Sequence, residues 1–182
     1  MISIYKASSA DVPTIVGYIQ KKAEFDRQLG CFEGKLGTTP ERIAKALFGV
    51  PVFAYSILAK QAERSVGFAF YHYHFSSFKA LPSLWLDDLY VDANARRLGV
   101  GLALMSALAT AASEQNCTHI GWIAAANNSS GIPFYNKLGA KQISRQTLGF
   151  TYSITPAELG ARIAEISRPN PTLQATAAQQ SG

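Results

Sequence analysis

The chain has 182 residues, 48% of them hydrophobic and 16% charged, and its 10 Phe, 8 Tyr and 2 Trp can fill a sizeable core, which excludes global disorder. The formal charge of +5 suits an anionic ligand, but no run of five or more Lys or Arg occurs, so a nucleic-acid partner is not expected. Cys31 and Cys117 allow at most one disulfide, the N-terminal residues lack a basic region followed by an apolar stretch, and the most apolar window, Val100 to Ala112, is shorter than the roughly 20 residues a bilayer requires. The expectation is a cytoplasmic protein with no membrane partner, one domain over residues 1–167 and a flexible tail over 168–182, where a single charge and no periodicity remain.

Residues 1–7 alternate as an edge strand does. A helix follows from about Ala10 to Gln28, with Val12, Ile15, Val16, Ile19 and Ala23 at the 3.6-residue period and Lys21, Lys22, Glu24 and Asp26 keeping its end polar. Thr39 caps a second helix that has Pro40 in its first turn and ends at Gly49. The period then changes to two, giving strands over Val52–Lys60, Ser65–Phe75 and Leu84–Val91, the first two joined by the polar turn 61–64. A helix from Val100 to Gln115 buries Leu104, Met105, Leu108, Ala111 and Ala112. A strand over His119–Ala125, a short helix over Ser129–Leu138 stopped by Gly139, strands over Gln142–Arg145 and Phe150–Ile154, and a helix opened by Thr155-Pro156 complete the order. This succession predicts an α/β fold of the α+β kind, a mixed sheet flanked by helices.

The sharpest chemistry lies in Asp92-Ala-Asn-Ala-Arg96-Arg97-Leu98-Gly99-Val100-Gly101. Glycines that open a helix leave backbone N–H groups unshielded at the positive end of the helix dipole, which makes an anion cradle. Arg96 and Arg97 would add charge-assisted hydrogen bonds to a diphosphate. A Walker A loop needs Gly-Lys-Ser/Thr, which is absent, and a dinucleotide fingerprint needs a glycine where Leu104 stands. The pattern that remains is Arg-x-x-Gly-x-Gly, with a merely structural turn at Gly99 as the alternative.

Strand, Arg96-Arg-Leu-Gly-Val-Gly101, long helix, strand, Asn, and then Phe134-Tyr135-x-x-Leu-Gly139-Ala140 together resemble the GNAT acyl-coenzyme A N-acyltransferase superfamily over roughly residues 1–155. Residues 67–78 and Leu86-Asp-Asp-Leu-Tyr-Val91 are similar to its diamine (spermidine/spermine-type) and thialysine N-acetyltransferase branch. The resemblance implies a mostly antiparallel sheet in which Leu84–Val91 and His119–Ala125 form a splayed parallel pair. It further implies acetyl-CoA as cosubstrate, with the backbone of Leu89, Tyr90 and Val91 pairing with pantetheine and the turn from Arg97 through Leu98, Gly99, Val100 and Gly101 to Leu102, beside Arg96, on the diphosphate. Asn128 matches a cofactor-contacting Asn, although an extra residue in this stretch leaves Asn127 open as well. A homodimer is implied by the branch alone.

Acetyl transfer needs a neutral amine, yet an amine with pKa near 10.4 is only about 0.04% neutral at pH 7, so a proton-accepting route is useful. Side-chain alternation puts Asp87 and Asp88 on opposite faces of their strand. By resemblance Asp87 acts on the substrate ammonium, directly or through water, and Tyr135 protonates the departing thiolate, while backbone N–H groups near Leu89 would stabilise the tetrahedral intermediate. Asp88, Glu24 and Asp26 are candidates to attract a cationic small-molecule amine. His72 and His74 have a spacing that zinc sites use, but no third ligand is evident, so no metal is expected. The Tyr71, Tyr73 and Phe75 face reads as packing. The leading reading is an acetyl-CoA-dependent N-acetyltransferase for a small primary amine (diamine, polyamine, thialysine or an amino-acid-like amine), without an acyl-enzyme. The alternatives are an acetyltransferase for a protein or peptide amine and a noncatalytic acyl-CoA-binding module.

Overall fold

In the computed structural model the described residues are 1–146 and 149–168, so the anticipated tail lies, beyond Arg168, outside them. The elements run β1 (Ile2–Lys6), α1 (Val12–Gln28), α2 (Pro40–Phe48), β2 (Tyr55–Gln61), β3 (Arg64–Ser76), β4 (Leu81–Val91), α3 (Val100–Glu114), β5 (Ile120–Ala125), α4 (Gly131–Lys137), β6 (Lys141–Gln146), β7 (Gly149–Ile154) and α5 (Pro156–Ile166). Local chemistry sets the ends. The Thr39 side chain accepts from the Arg42 N–H at 3.3 Å, and Thr155 with Glu158 forms a capping box before α5. β2 starts at Tyr55 rather than at Val52 because the Phe53 and Ala54 N–H groups donate back to the Ala46 carbonyl and are unavailable to a neighbouring strand.

The seven strands lie in the order β1-β2-β3-β4-β5-β7-β6, antiparallel throughout except between β4 and β5. On one face α1 and α2 cover a smaller core built from Ile15, Tyr18, Leu47, Leu58 and Phe68. On the other, the α3 residues Leu104, Met105, Leu108 and Ala112 pack with Leu84, Ile120, Tyr152 and the α5 residue Leu159. Tyr71 and Tyr73 join this second core, as the packing reading requires, and the Tyr73 hydroxyl donates to the Ala111 carbonyl at 3.4 Å. Phe75 is exposed, because β3 and β4 continue as a hairpin beyond the residue where β2 begins, Tyr55 opposite Tyr71.

Candidate functional site

The site is made by a strand pair that parts. β4 and β5 are paired only at Leu84–Ile120 and Trp85–Gly121, and among the described residues the rest of β4 has no strand on that side. The register between β3 and β4 supplies a cause: Phe70 lies opposite Asp88 and Tyr71 opposite Leu86, so Asp87 is an extra residue, a bulge that bends the strand. Backbone groups of β4 that a neighbouring strand would otherwise occupy are therefore offered to the gap.

The bulge also corrects an expectation. Simple alternation sends Asp87 and Asp88 to opposite faces, but the inserted residue resets the phase. Asp87 lies 2.9 Å from the Nδ1 of His72, and Asp88 lies 3.7 Å from the α1 residue Lys22. Both carboxylates thus face the α1 side and line one cleft of about 450 Å³, together with Lys22, Phe25 and Asp26 of α1 and Trp122, Ile123, Ala124 and Ala125 of β5. Lys22 also pairs with Asp26. Burial pushes the Asp88 carboxyl up to about 6; the Lys22 ammonium opposes the rise, while Asp87 and Asp26 add to it.

A second cleft of about 930 Å³, within the range of small-ligand sites, runs from the end of β4 to α4. It is lined by Tyr90, Val91, Arg96, Arg97, Gly99, Gly101 and Leu102, with Ser129, Ser130, Pro133 and Phe134 opposite. Gly99 caps α3 with a left-handed φ of 88°, so the glycine turn does open the helix. A Cβ on Gly101 would stand 3.3 Å from the Phe134 ring, so the missing side chain lets α4 close on the turn. The Arg96 guanidinium donates from Nε to the Val91 carbonyl at 3.1 Å and lies 5.6 Å from the Phe25 ring and 5.8 Å from that of Tyr90.

The two clefts meet: Phe25, Leu89, Asn128 and Tyr135 line both. Tyr135 is buried in an aromatic cluster, with ring centroids 5.0 Å from Trp122 and 5.5 Å from Tyr152. Burial, reinforced by Tyr152 and Asp26, pushes its phenol well above the usual tyrosine range. Asn128 Oδ1 accepts from the Gly131 N–H at 2.7 Å and so holds the start of α4, whereas the Asn127 side chain turns away and donates to the Leu29 carbonyl at 2.9 Å.

Three candidates do not reach the clefts by their side chains. Glu24 lies on the exposed side of α1, 3.3 Å from Arg27 and accepting from Gln28. Leu98 is exposed and Val100 is buried in the core under α3. Lys22 and Phe25 were missed, although Lys22 stands four residues before Asp26 and Phe25 three after Lys22, spacings that share a helix face. Ile166 of the second cleft arises from distant packing and leaves no such signal.

Residues 23–140 match the model of the acetyltransferase (GNAT) family. The chain is 22% identical over 151 residues to the thialysine N-epsilon-acetyltransferase of Bos taurus, covering 79% of this chain and 86% of that one. It is 25% identical over 150 residues to spermidine/spermine N(1)-acetyltransferase-like protein 1 of Homo sapiens, covering 79% of this chain and 21% of that protein. Its fold is similar to that of the PaiA N-acetyltransferase of Thermoplasma acidophilum in complex with coenzyme A, with a TM-score of 0.64 at 16% identity over 85% of this chain and 99% of that one.

Proposed function

The chain belongs to the acetyltransferase (GNAT) family and is an acetyl-CoA-dependent N-acetyltransferase; within that, we propose that its domain, residues 1–167, acetylates the primary amine of a small molecule by direct attack with both substrates bound. The observation that carries this reading is the meeting of an acidic cleft and a glycine- and arginine-lined cleft at Leu89, Asn128 and Tyr135. The residues present fit acetyl-CoA: the β4 backbone beyond Trp85 is free of β5, and Gly99, Gly101, Arg96 and Arg97 gather at the start of α3. Acetyl-CoA supplies a thioester, an activated acyl group.

The residues of the chain do the rest. Asp87 accepts the proton that the acceptor ammonium must lose, from the α1 side of the sheet. Tyr135, kept protonated by its burial, holds a proton for the sulfur on the other side of the gap. Three carboxylates, Asp26, Asp87 and Asp88, face the first cleft, and Lys22 offsets part of their charge. That balance suits an amine with one or two cationic centres. Thiol release from acetyl-CoA across diamines, polyamines, thialysine, amino acids and basic peptides tests the reading. Turnover with a small amine supports it; coenzyme A binding without turnover on any amine would overturn it in favour of a noncatalytic module.

Two effects follow from the lining. In Gly101→Val the added methyl groups collide with Phe134, and overpacking of about 1–3 kcal/mol should weaken coenzyme A binding by about tenfold in calorimetry. The second effect concerns Asp88, which is neutral below its raised pKa of about 6 and charged above it. Attraction for a cationic amine therefore grows as pH rises through 6. The amine KM is expected to fall several-fold between about pH 5 and 7, and this change should be absent from Asp88→Asn.

A further inference from the structure

We propose that His72 and His74 are positioning residues that hold the Asp87 carboxylate in place and turned toward the acceptor amine, an inference that rests on the amine-accepting reading above. The two histidines stand on one face of β3, and the bulge in β4 brings Asp87 onto that same face. Asp87 Oδ2 lies 2.9 Å from His72 Nδ1, and His72 Nε2 lies 2.8 Å from His74 Nε2. The His74 ring is stacked on Trp85, 5.5 Å between centroids at an interplanar angle of 12°, which fixes the end of the chain of contacts.

These distances determine where the hydrogens sit. Two imidazole nitrogens at hydrogen-bond distance need one hydrogen between them, and a carboxylate facing a ring nitrogen needs the hydrogen on that nitrogen. With both rings neutral, a single arrangement meets both conditions: His74 donates from Nε2 to His72 Nε2, and His72 donates from Nδ1 to Asp87. If the pair gains a proton, whichever ring takes it, His72 keeps its Nδ1 hydrogen and still donates to Asp87. Asp87 and His74 together set the tautomer of His72, and His72 occupies one oxygen of Asp87 in either state, leaving the other for the ammonium. The Nε2 atoms are spent on each other, which also accounts for two histidines at a zinc-like spacing without assigning them a metal.

The experiment combines kinetics with nitrogen NMR of the full chain. His72→Phe is expected to lower kcat/KM for the amine by about 10-fold to 100-fold, the size of one hydrogen bond to a charged group, with the acetyl-CoA dissociation constant unchanged. His72→Asn, which keeps a side-chain donor near the place of Nδ1, should recover most of the loss. His74→Phe keeps a ring against Trp85 but lacks Nε2–H, and should show a smaller loss. In the wild-type spectrum at neutral pH His72 should carry its hydrogen on Nδ1, and Asp87→Ala should return it to the usual Nε2–H form. A wild-type His72 already in the Nε2–H form, or a His72→Phe enzyme as active as wild type, overturns the proposal. If the wild type acetylates no amine, the functional reading fails, while the spectrum still decides the histidine pair; it does so too if His72→Phe does not fold.

Discussion

Tyr135→Phe should lower kcat by about 10²-fold to 10⁴-fold, the usual contribution of a positioned acid, while acetyl-CoA binds as before. The substitution removes one oxygen and keeps the ring that packs 5.0 Å from Trp122 and 5.5 Å from Tyr152, so the cluster and both cleft walls persist. What is lost is a proton held where the clefts meet. Because burial raises the phenol pKa, Tyr135 remains protonated at neutral and moderately alkaline pH, and its ionisation should impose no fall in kcat across that range. Steady-state turnover and calorimetric cofactor binding, measured side by side, test this. A Phe enzyme with turnover within about twofold of wild type would falsify the assignment and pass the thiolate proton to solvent.

Much of the frame was legible because it depends on local patterns. The apolar stripe of α3 named Leu104, Met105, Leu108, Ala111 and Ala112, and all five are buried. The glycine turn was legible as a helix entry because a left-handed residue there favours glycine, and Gly99 does take that conformation. The faces of Asp87 and Asp88 were not legible. One inserted residue in a strand inverts every face after it, and only pairing with β3 reveals where the insertion lies. Asn127 and Asn128 differ for a similar reason: the choice depends on which one reaches the Gly131 N–H and which one meets Leu29, far away in sequence. Glu24 failed by helical phase, since it stands two residues from both Lys22 and Asp26 and so points to a different side of α1.

The second large effect is expected from Asp87→Asn, which should lower kcat/KM for the amine by about 10²-fold or more at pH 7. Asn keeps the shape of Asp and can still accept the His72 hydrogen bond through its carbonyl, so the geometry of the bulge is preserved. It cannot take a proton from an ammonium. The sign of the pH dependence separates this from a loss of charge attraction. The neutral fraction of an amine with pKa near 10.4 rises about tenfold per pH unit below that value, so the need for a base shrinks as pH increases. The deficit of Asp87→Asn should therefore diminish steadily from pH 7 to 9. A variant that only binds the cation less well should instead keep a nearly constant deficit over the same range, where the carboxylate it lost is mostly ionised in the wild type. Asp88→Asn supplies that comparison, because Asp88 faces Lys22 in the same cleft and is charged above about pH 6. Parallel pH profiles for the two variants would remove Asp87 from proton transfer and leave it as one more carboxylate drawing the amine into the cleft.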